Sequence, residues 1–544
     1  MAHLLSGRPF AVLLASAFFA GATSLATAQF SDQTAAAGLD QEFYSVGSGH
    51  GLGLSWVDVN NDGWVDLFAV NGKGQETNLY LNNGDGTFTK RNDLLPVLPD
   101  VEKTGSVFAD YDNDGDQDIF ITTDNDQFDL SGPNETHGPA NILLRNNFVE
   151  NGNQILNGQP LFNDVAVQAG VAEPAPSPGT NYDYYRSMTA AFLDHDRDGW
   201  VDLFVGHMVL QAAGDPMNQN KLYHNNGDGT FTEVTQGVGL PGPNDTQYNQ
   251  PTLACIAADL NGDLWPDLYW VNVHEPMPQN NDVLWLNNGD GTFTDATALS
   301  PGLGDDSGSG MGIHVGDVDN DGDWDIYISD LWDSGNDALP LGNPYYESNG
   351  DGTWMDNTAD IAGIQGDSSW GVNFFDIDQD GWLDLTVATM SNDPTLAYRN
   401  RRDKTTFTDV TNLAGMGTIN NGRGSQVADY DGDGDLDLVI VNQSGPLQLY
   451  RNDTLGGNYL KVKLVATQSN RSAIGAQVRI RTGALRQMRQ VTAGDSAHGQ
   501  SQLDVHFGVG NRNVVNSVFV LWPSGERQVF TNVPANSTLT VVEP

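Results

Sequence analysis

Residues 58–66 read DVNNDGWVD. Oxygen-bearing side chains stand at positions 1, 3 and 5 of this phrase, a glycine follows at 6, and an Asp closes it at 9. Carboxylates held this close repel one another unless a cation sits between them. The phrase recurs as DYDNDGDQD at 110, DHDRDGWVD at 194, DLNGDLWPD at 259, DVDNDGDWD at 317, DIDQDGWLD at 376 and DYDGDGDLD at 429. Each of the seven copies precedes a short apolar run such as LFAV, IFIT or LVIV, whose length and β-branched content predict a strand.

A second phrase follows most copies: LYLNNGDGTF at 79, LYHNNGDGTF at 222, LWLNNGDGTF at 284 and YESNGDGTW at 346. Asn, Asp and Gly tolerate the positive φ of tight turns, so strand, NGDG, strand predicts a hairpin. A third phrase, FTEVT, FTDAT, MDNT or FTDVT, completes a unit of four short strands over roughly 50 to 65 residues. Four-stranded units at such a period are propeller blades. The expected fold is all-β: a seven-bladed β-propeller with calcium loops over residues 29–455, then a small all-β domain over 456–544. The third phrase also stands at residue 30, FSDQT, while copy seven ends at LYRNDT, so both ends of the array are expected to share one blade. The wider gap between copies two and three, residues 124–186, reads as loops projecting from one face.

Positions 1, 3, 5 and 9 offer side-chain oxygens and position 7 a backbone carbonyl, the hard-oxygen set that calcium takes at roughly 2.3–2.6 Å. The expected ligands are Asp58, Asn60, Asp62 and Asp66 in loop one, and Asp110, Asp112, Asp114 and Asp118 in loop two. Loop three supplies Asp194, Asp196, Asp198 and Asp202; loop four supplies Asp259, Asn261, Asp263 and Asp267. Loops five to seven supply Asp317, Asp319, Asp321 and Asp325; Asp376, Asp378, Asp380 and Asp384; and Asp429, Asp431, Asp433 and Asp437. Up to seven Ca2+ ions are expected, weakest in loop four, where Leu264 replaces the glycine, and in loop one, where Asn60 replaces an Asp. Each loop alone would bind on the order of 10⁻⁴–10⁻³ M, as extracellular modules do. No Cys or His ligands cluster in sequence, which argues against zinc; His195 and His224, inside repeat phrases, read as exposed turn residues.

The formal net charge of −47 argues against a nucleic-acid or anionic-membrane partner. The one cysteine, Cys255, permits no intrachain disulfide and reads as a small buried strand residue. Residues 1–28, with Arg8, an apolar run and ATA before Gln29, read as a secretory signal peptide, so the expected localisation is secreted or cell-surface, without membrane insertion. From Gly456 onward basic residues outnumber acidic ones. That tail either docks on the acidic propeller or is free to grip anionic glycans.

The loops and NGDGTF hairpins resemble the FG-GAP/VCBS repeat family, which includes the integrin α-subunit propeller. NRSAIGAQVRI at 470, QSQLDVHFGVG at 500 and VFVLWPSG at 518 resemble the ASPIC/UnbV domain, and the order of the two resembles the cartilage acidic protein family with its bacterial members. The resemblance implies an extracellular calcium-binding protein of adhesion or matrix type, with a protein or glycan as partner and no established catalysis. Two alternatives stand beside it. His50, Lys103, Arg186, Trp370 and Arg423 enter the strands that lead into the loops and could ring the channel as a ligand site. Such a ring could serve a carbohydrate-active enzyme of polysaccharide lyase type. Alternatively, the protein is a structural surface component with no discrete ligand.

Overall fold

The computed structural model describes residues 30–39, 42–44, 53–124, 141–173, 186–208, 219–241, 251–273, 282–300, 303, 309–331, 343–358, 368–390, 393–402, 406–416, 421–454 and 456–544. The proposed signal peptide, His50 and residues 125–140 and 174–185 of the stretch between copies two and three lie outside them. The rest of that stretch, expected as loops, instead supplies the two outer strands of blade two, Ile142–Asn146 and Phe162–Asp164, because the blade needs them to complete its sheet. Among the described residues, seven antiparallel four-stranded sheets follow the seven repeats. Blade one consists of Leu54–Val57, Asp66–Ala69, Asn78–Asn82 and Phe88–Lys90, and its acidic loop connects the first strand to the second. Blades two to six repeat this order. In the seventh sheet, Gly422–Ala428, Asp437–Asn442 and Gln448–Asn452 are completed on the outside by Phe30–Asp32, paired Phe30 to Asn452. The array thus closes with one outer strand from the amino-terminal side and three from the other end. The innermost strand of blade seven packs on that of blade one, which completes the ring.

The burial of each strand follows from its place. The two inner strands of a blade are covered on both faces by neighbouring blades and are buried throughout, as in Ser187–Leu193 and Asp202–His207. The outermost strand buries only its first aromatic residue, as in Phe231–Glu233. Cys255 lies in an innermost strand, 3% exposed, as expected.

The tail forms two further sheets. Asn458–Val465 lies between Val505–Gly510 and Ser537–Val542. Gln477–Thr482 and Val514–Leu521 form the middle of a four-stranded sheet with Leu485–Gln490 and Arg527–Pro534 outside. Val462, Phe507, Val478, Val520 and Trp522 fill the space between them, and this core runs on into Ala109 and Phe192 of blades two and three.

The tail is docked. Residues 491–503 leave it and enter the propeller channel. Phe192 of blade three donates its backbone N–H to the Ala493 carbonyl (3.0 Å), Ser106 of blade two to His498 (3.2 Å), and Trp56 of blade one to Gln500 (3.0 Å). Ser496 and Ile313 of blade five bond in both directions, Val372 of blade six donates to Ser496 Oγ (2.9 Å), and Gln502 donates to Val427 of blade seven (3.2 Å). Gly53 and Gly499 allow this approach, since a Cβ on either would overlap a carbonyl oxygen of the opposite segment.

Candidate functional site

The seven acidic loops share one backbone path. Position 4 is left-handed in every copy: Asn61, Asn113, Arg197, Gly262, Asn320, Gln379 and Gly432. Position 6 is left-handed in every copy too, six times glycine and once Leu264, with φ of 79°. These two reversals fold the loop back so that its carboxylates converge. Position 1 caps the turn: Asp110 accepts the N–H groups of Asp114 (2.9 Å) and Gly115 (2.8 Å), and Asp58, Asp194 and Asp376 do the same in their own loops.

Position 9 pins the loop to its blade. Both Asp118 oxygens accept backbone N–H groups, from Tyr111 (3.1 Å) and from Asn146 in the third strand (2.8 Å). The same pair of bonds recurs at Asp66, Asp202, Asp267, Asp325, Asp384 and Asp437. Apart from both Asp202 oxygens and Asp267 Oδ2, which meet a second donor, each oxygen keeps a lone pair for a metal.

Loops are also tied to one another. The position-4 amide of Asn61 donates to the Gly115 carbonyl of loop two (2.9 Å), Asn113 to Gly199 of loop three (3.0 Å), Asn320 to Gly381 (3.0 Å) and Gln379 to Gly434 (2.9 Å). Arg197 instead lies over the Trp265 ring of loop four, 4.8 Å from its centroid.

The remaining oxygens fit a hard cation. Asp112 Oδ1, Asp114 Oδ2, Asp196 Oδ1 and Asp259 Oδ1 are buried with no hydrogen-bond partner. Ligand atoms of Asp110, Asp112 and Asp118 lie within 4.8 Å of one another, as do those of Asp194, Asp196 and Asp198, and of Asp317, Asp319 and Asp321. Burial, then the charges of neighbouring carboxylates, push Asp110 and Asp194 up to about 8. Burial likewise raises Asp317 to about 7. Two loops already contain protein cations: Arg402 Nε lies 2.6 Å from Asp380 with Arg399 against Asp378, and Lys461 Nζ of the tail lies 3.0 Å from Asp429.

Three ligand candidates were not legible as such. Glu150, outside loop two, brings a carboxylate within 4.8 Å of those of Asp112 and Asp114. His195 and His224, expected on exposed turns, are buried and half-buried and converge on Asp202, at 2.5 and 3.1 Å. Burial alone would raise Asp202, but these two hydrogen bonds outweigh it and hold its carboxyl below the usual range, while His224 is pushed up to about 9. The available signal was that the only histidines inside repeat phrases occur in the same copy.

Of the channel candidates, the four among the described residues are each engaged by neighbouring groups. Arg186 makes a two-pronged pair with Asp124, 2.6 Å on each side. Trp370 is buried, with Arg423 over its face at 4.1 Å and the plug residue His498 on its other contacts at 6.0 Å. Lys103 is buried and bonds the Val101 carbonyl (3.2 Å). Residues 491–503 run along the inner strands beside them, with His498 against Trp370.

Sequence comparisons agree with this architecture. The FG-GAP-like repeat family model matches residues 58–121, 194–270, 259–328 and 376–440, spans that contain all seven loops, and the ASPIC and UnbV model matches 466–544. The chain is an FG-GAP repeat protein with a C-terminal ASPIC/UnbV domain. It is homologous to cartilage acidic protein 1: 24% identical to the protein of Mus musculus, over 90% of this chain and 74% of the relative. The Homo sapiens protein is 24% identical over 90% and 72% respectively, and that of Xenopus tropicalis 24% over 93% and 76%.

In this FG-GAP protein the ASPIC/UnbV domain bonds to the acidic-loop face. Ser472 Oγ accepts the Asp110 N–H (2.8 Å), Gln477 donates to Asp259 Oδ2 (2.6 Å), and Arg197 donates to the Pro523 carbonyl (2.5 Å). Arg489, half-buried, lies in the fields of Asp317 and Asp376. No helix among the described residues is long and apolar enough to cross a membrane.

Proposed function

We propose that this protein is a secreted, calcium-stabilised, non-catalytic binding or adhesion module. The observation that carries this reading is the tail bonded to the loop face and along the channel strands. The tail domain bonds to the acidic-loop face, where a bound metal would act as a staple, and the other rim of the propeller is the opposite face. Strands leave the ring there at Asp124, His207, Val273 and Leu331, and the longer connections of the chain start from those points.

A bound divalent ion would neutralise the repulsion among the loop carboxylates and tie each turn closed. The chain's own residues then do the rest: position 9 holds each loop to its blade, position 4 links it to the next, and Lys461 and Gln477 hold the tail on top. The partner would be an extracellular protein or glycan. The test is retention of the mature chain on polysaccharides and matrix proteins, with calcium and with chelator, while reading breakdown products. Saturable, calcium-dependent retention without products is expected. New reducing ends or unsaturated uronates would replace this reading with a lyase.

A further inference from the structure

Loop three departs from the other six at two places, and the departures converge in space. Position 2 is His195, where the other copies carry Val59, Tyr111, Leu260, Val318, Ile377 and Tyr430. The residue before the hairpin Asn225 is His224, where blades one and four carry Leu81 and Leu286. The two rings meet edge to face with centroids 5.7 Å apart, and His195 also stacks on Phe293 at 6.4 Å, so it is oriented before any ligand arrives. Both direct Nδ1 at Asp202, and His224 Nδ1 lies 3.6 Å from Asp196. One donor atom from each of His195, Asp196, Asp202 and His224 falls within 4.8 Å of all the others. Asp196 Oδ1 is buried without a hydrogen-bond partner.

Two imidazoles and two carboxylates are a poor set for calcium, which takes oxygen, and a good one for a borderline divalent ion such as zinc, usually four-coordinate. Asp202 is braced for the task by the N–H groups of His195 (2.9 Å) and Asn225 (2.8 Å). That backbone support is the kind of second contact that orients a metal ligand. We propose that loop three holds a transition-metal site of the zinc class, formed by His195, His224, Asp202 and Asp196. It stands apart from the oxygen-only loops, and its assignment does not depend on calcium filling them.

The test uses the full mature chain in excess calcium. Zn2+ is titrated calorimetrically, retained zinc is counted by elemental analysis after gel filtration, and Co2+ serves as a spectroscopic probe of imidazole ligation. Wild type is expected to retain one zinc and to show visible cobalt bands. The variant His195→Val with His224→Leu carries residues that blade one tolerates at these places. It is expected to lose more than the roughly 100-fold in zinc affinity that removing an outer-shell partner costs, and to lose the cobalt bands, with its calcium-dependent melting unchanged. No zinc retained by wild type, or equal retention by both, overturns the proposal. If the double variant does not fold, His224→Leu alone carries the same comparison, since that side chain is only half-buried. A calcium effect on melting that is absent in both proteins would count against the calcium reading alone.

Discussion

Ser496 and Ile313 exchange two backbone hydrogen bonds, 2.8 and 3.0 Å long, although one belongs to the tail domain and the other to the innermost strand of blade five. The tail is thereby part of the propeller's own interior. At Gly499 in the same segment, a Cβ would overlap the Leu54 carbonyl oxygen of blade one. Gly499→Ala should therefore cost about 1–3 kcal/mol, as overpacking does, and should make the 456–544 region more sensitive to protease. Denaturant unfolding and timed proteolysis check this. An unchanged midpoint would mean that the plug has room to shift.

Calcium and pH should act on stability with opposite signs. Without metal, Asp110 and Asp194 hold protons up to about pH 8 and Asp317 to about 7, whereas unfolded carboxylates titrate near 3.9. Between those values the native state binds more protons than the unfolded one, so stability falls as pH rises. This contribution is complete below about pH 4 and is lost as pH climbs through about 7 to 8. Calcium bound in the loops as proposed would displace those protons, so its stabilising effect should be larger at pH 8.5 than at pH 5.5. The readout is the difference in melting temperature between calcium and chelator at each pH, in which groups away from the loops cancel. An equal difference at both pH values would sink the argument.

The propeller was legible because each blade repeats the same local chemistry. Glycine or Asn at most of the left-handed positions, apolar runs after the loop and NGDG hairpins all point to the same path, so local and global signals agree. Even the closure at residue 30 was written as a repeat of the FTDVT phrase. The plug was not legible. VTAGDSAHGQSQL has no strand or helix period, and its conformation is set by the inner strands of six blades rather than by its own residues. The His195–His224 pair was hidden for a related reason: the two are neighbours only once the first and third strands of blade three lie on either side of the second.

Loop four carries the one non-glycine residue at position 6. Leu264 is held at φ of 79°, a left-handed conformation that costs an ordinary residue roughly 1–2 kcal/mol. Leu264→Gly should recover part of this, since glycine's unfolded-state entropy takes back about 0.5–1 kcal/mol, and since Leu264 lines a small cavity together with Ile474 and Pro523 of the tail. A small net gain in the urea midpoint with an unchanged slope is expected. A loss would show that contact with the tail outweighs the backbone strain.

The asparagine that ends each third strand links a blade to the one before it. Asn225 of blade three donates to the Val201 carbonyl of its own loop (3.0 Å) and to the Tyr111 carbonyl of loop two (2.8 Å). Asn82, Asn146, Asn287, Asn400 and Asn452 make the same two bonds in their own places. Blade five has Ser348 instead, and there the Trp354 indole N–H reaches the Trp324 carbonyl (2.9 Å). Asn225→Ala leaves two buried carbonyls without their donor, a loss of about 1–3 kcal/mol each when nothing replaces it. Ser348→Ala removes only a 3.2 Å contact to the Gly350 N–H and should cost well under 1 kcal/mol. Chemical unfolding of the two variants side by side checks the contrast. Hydrogen exchange should show loop two loosening in Asn225→Ala, because the severed bond ends there. Equal costs for the two substitutions would mean that the blades are held together by apolar packing alone.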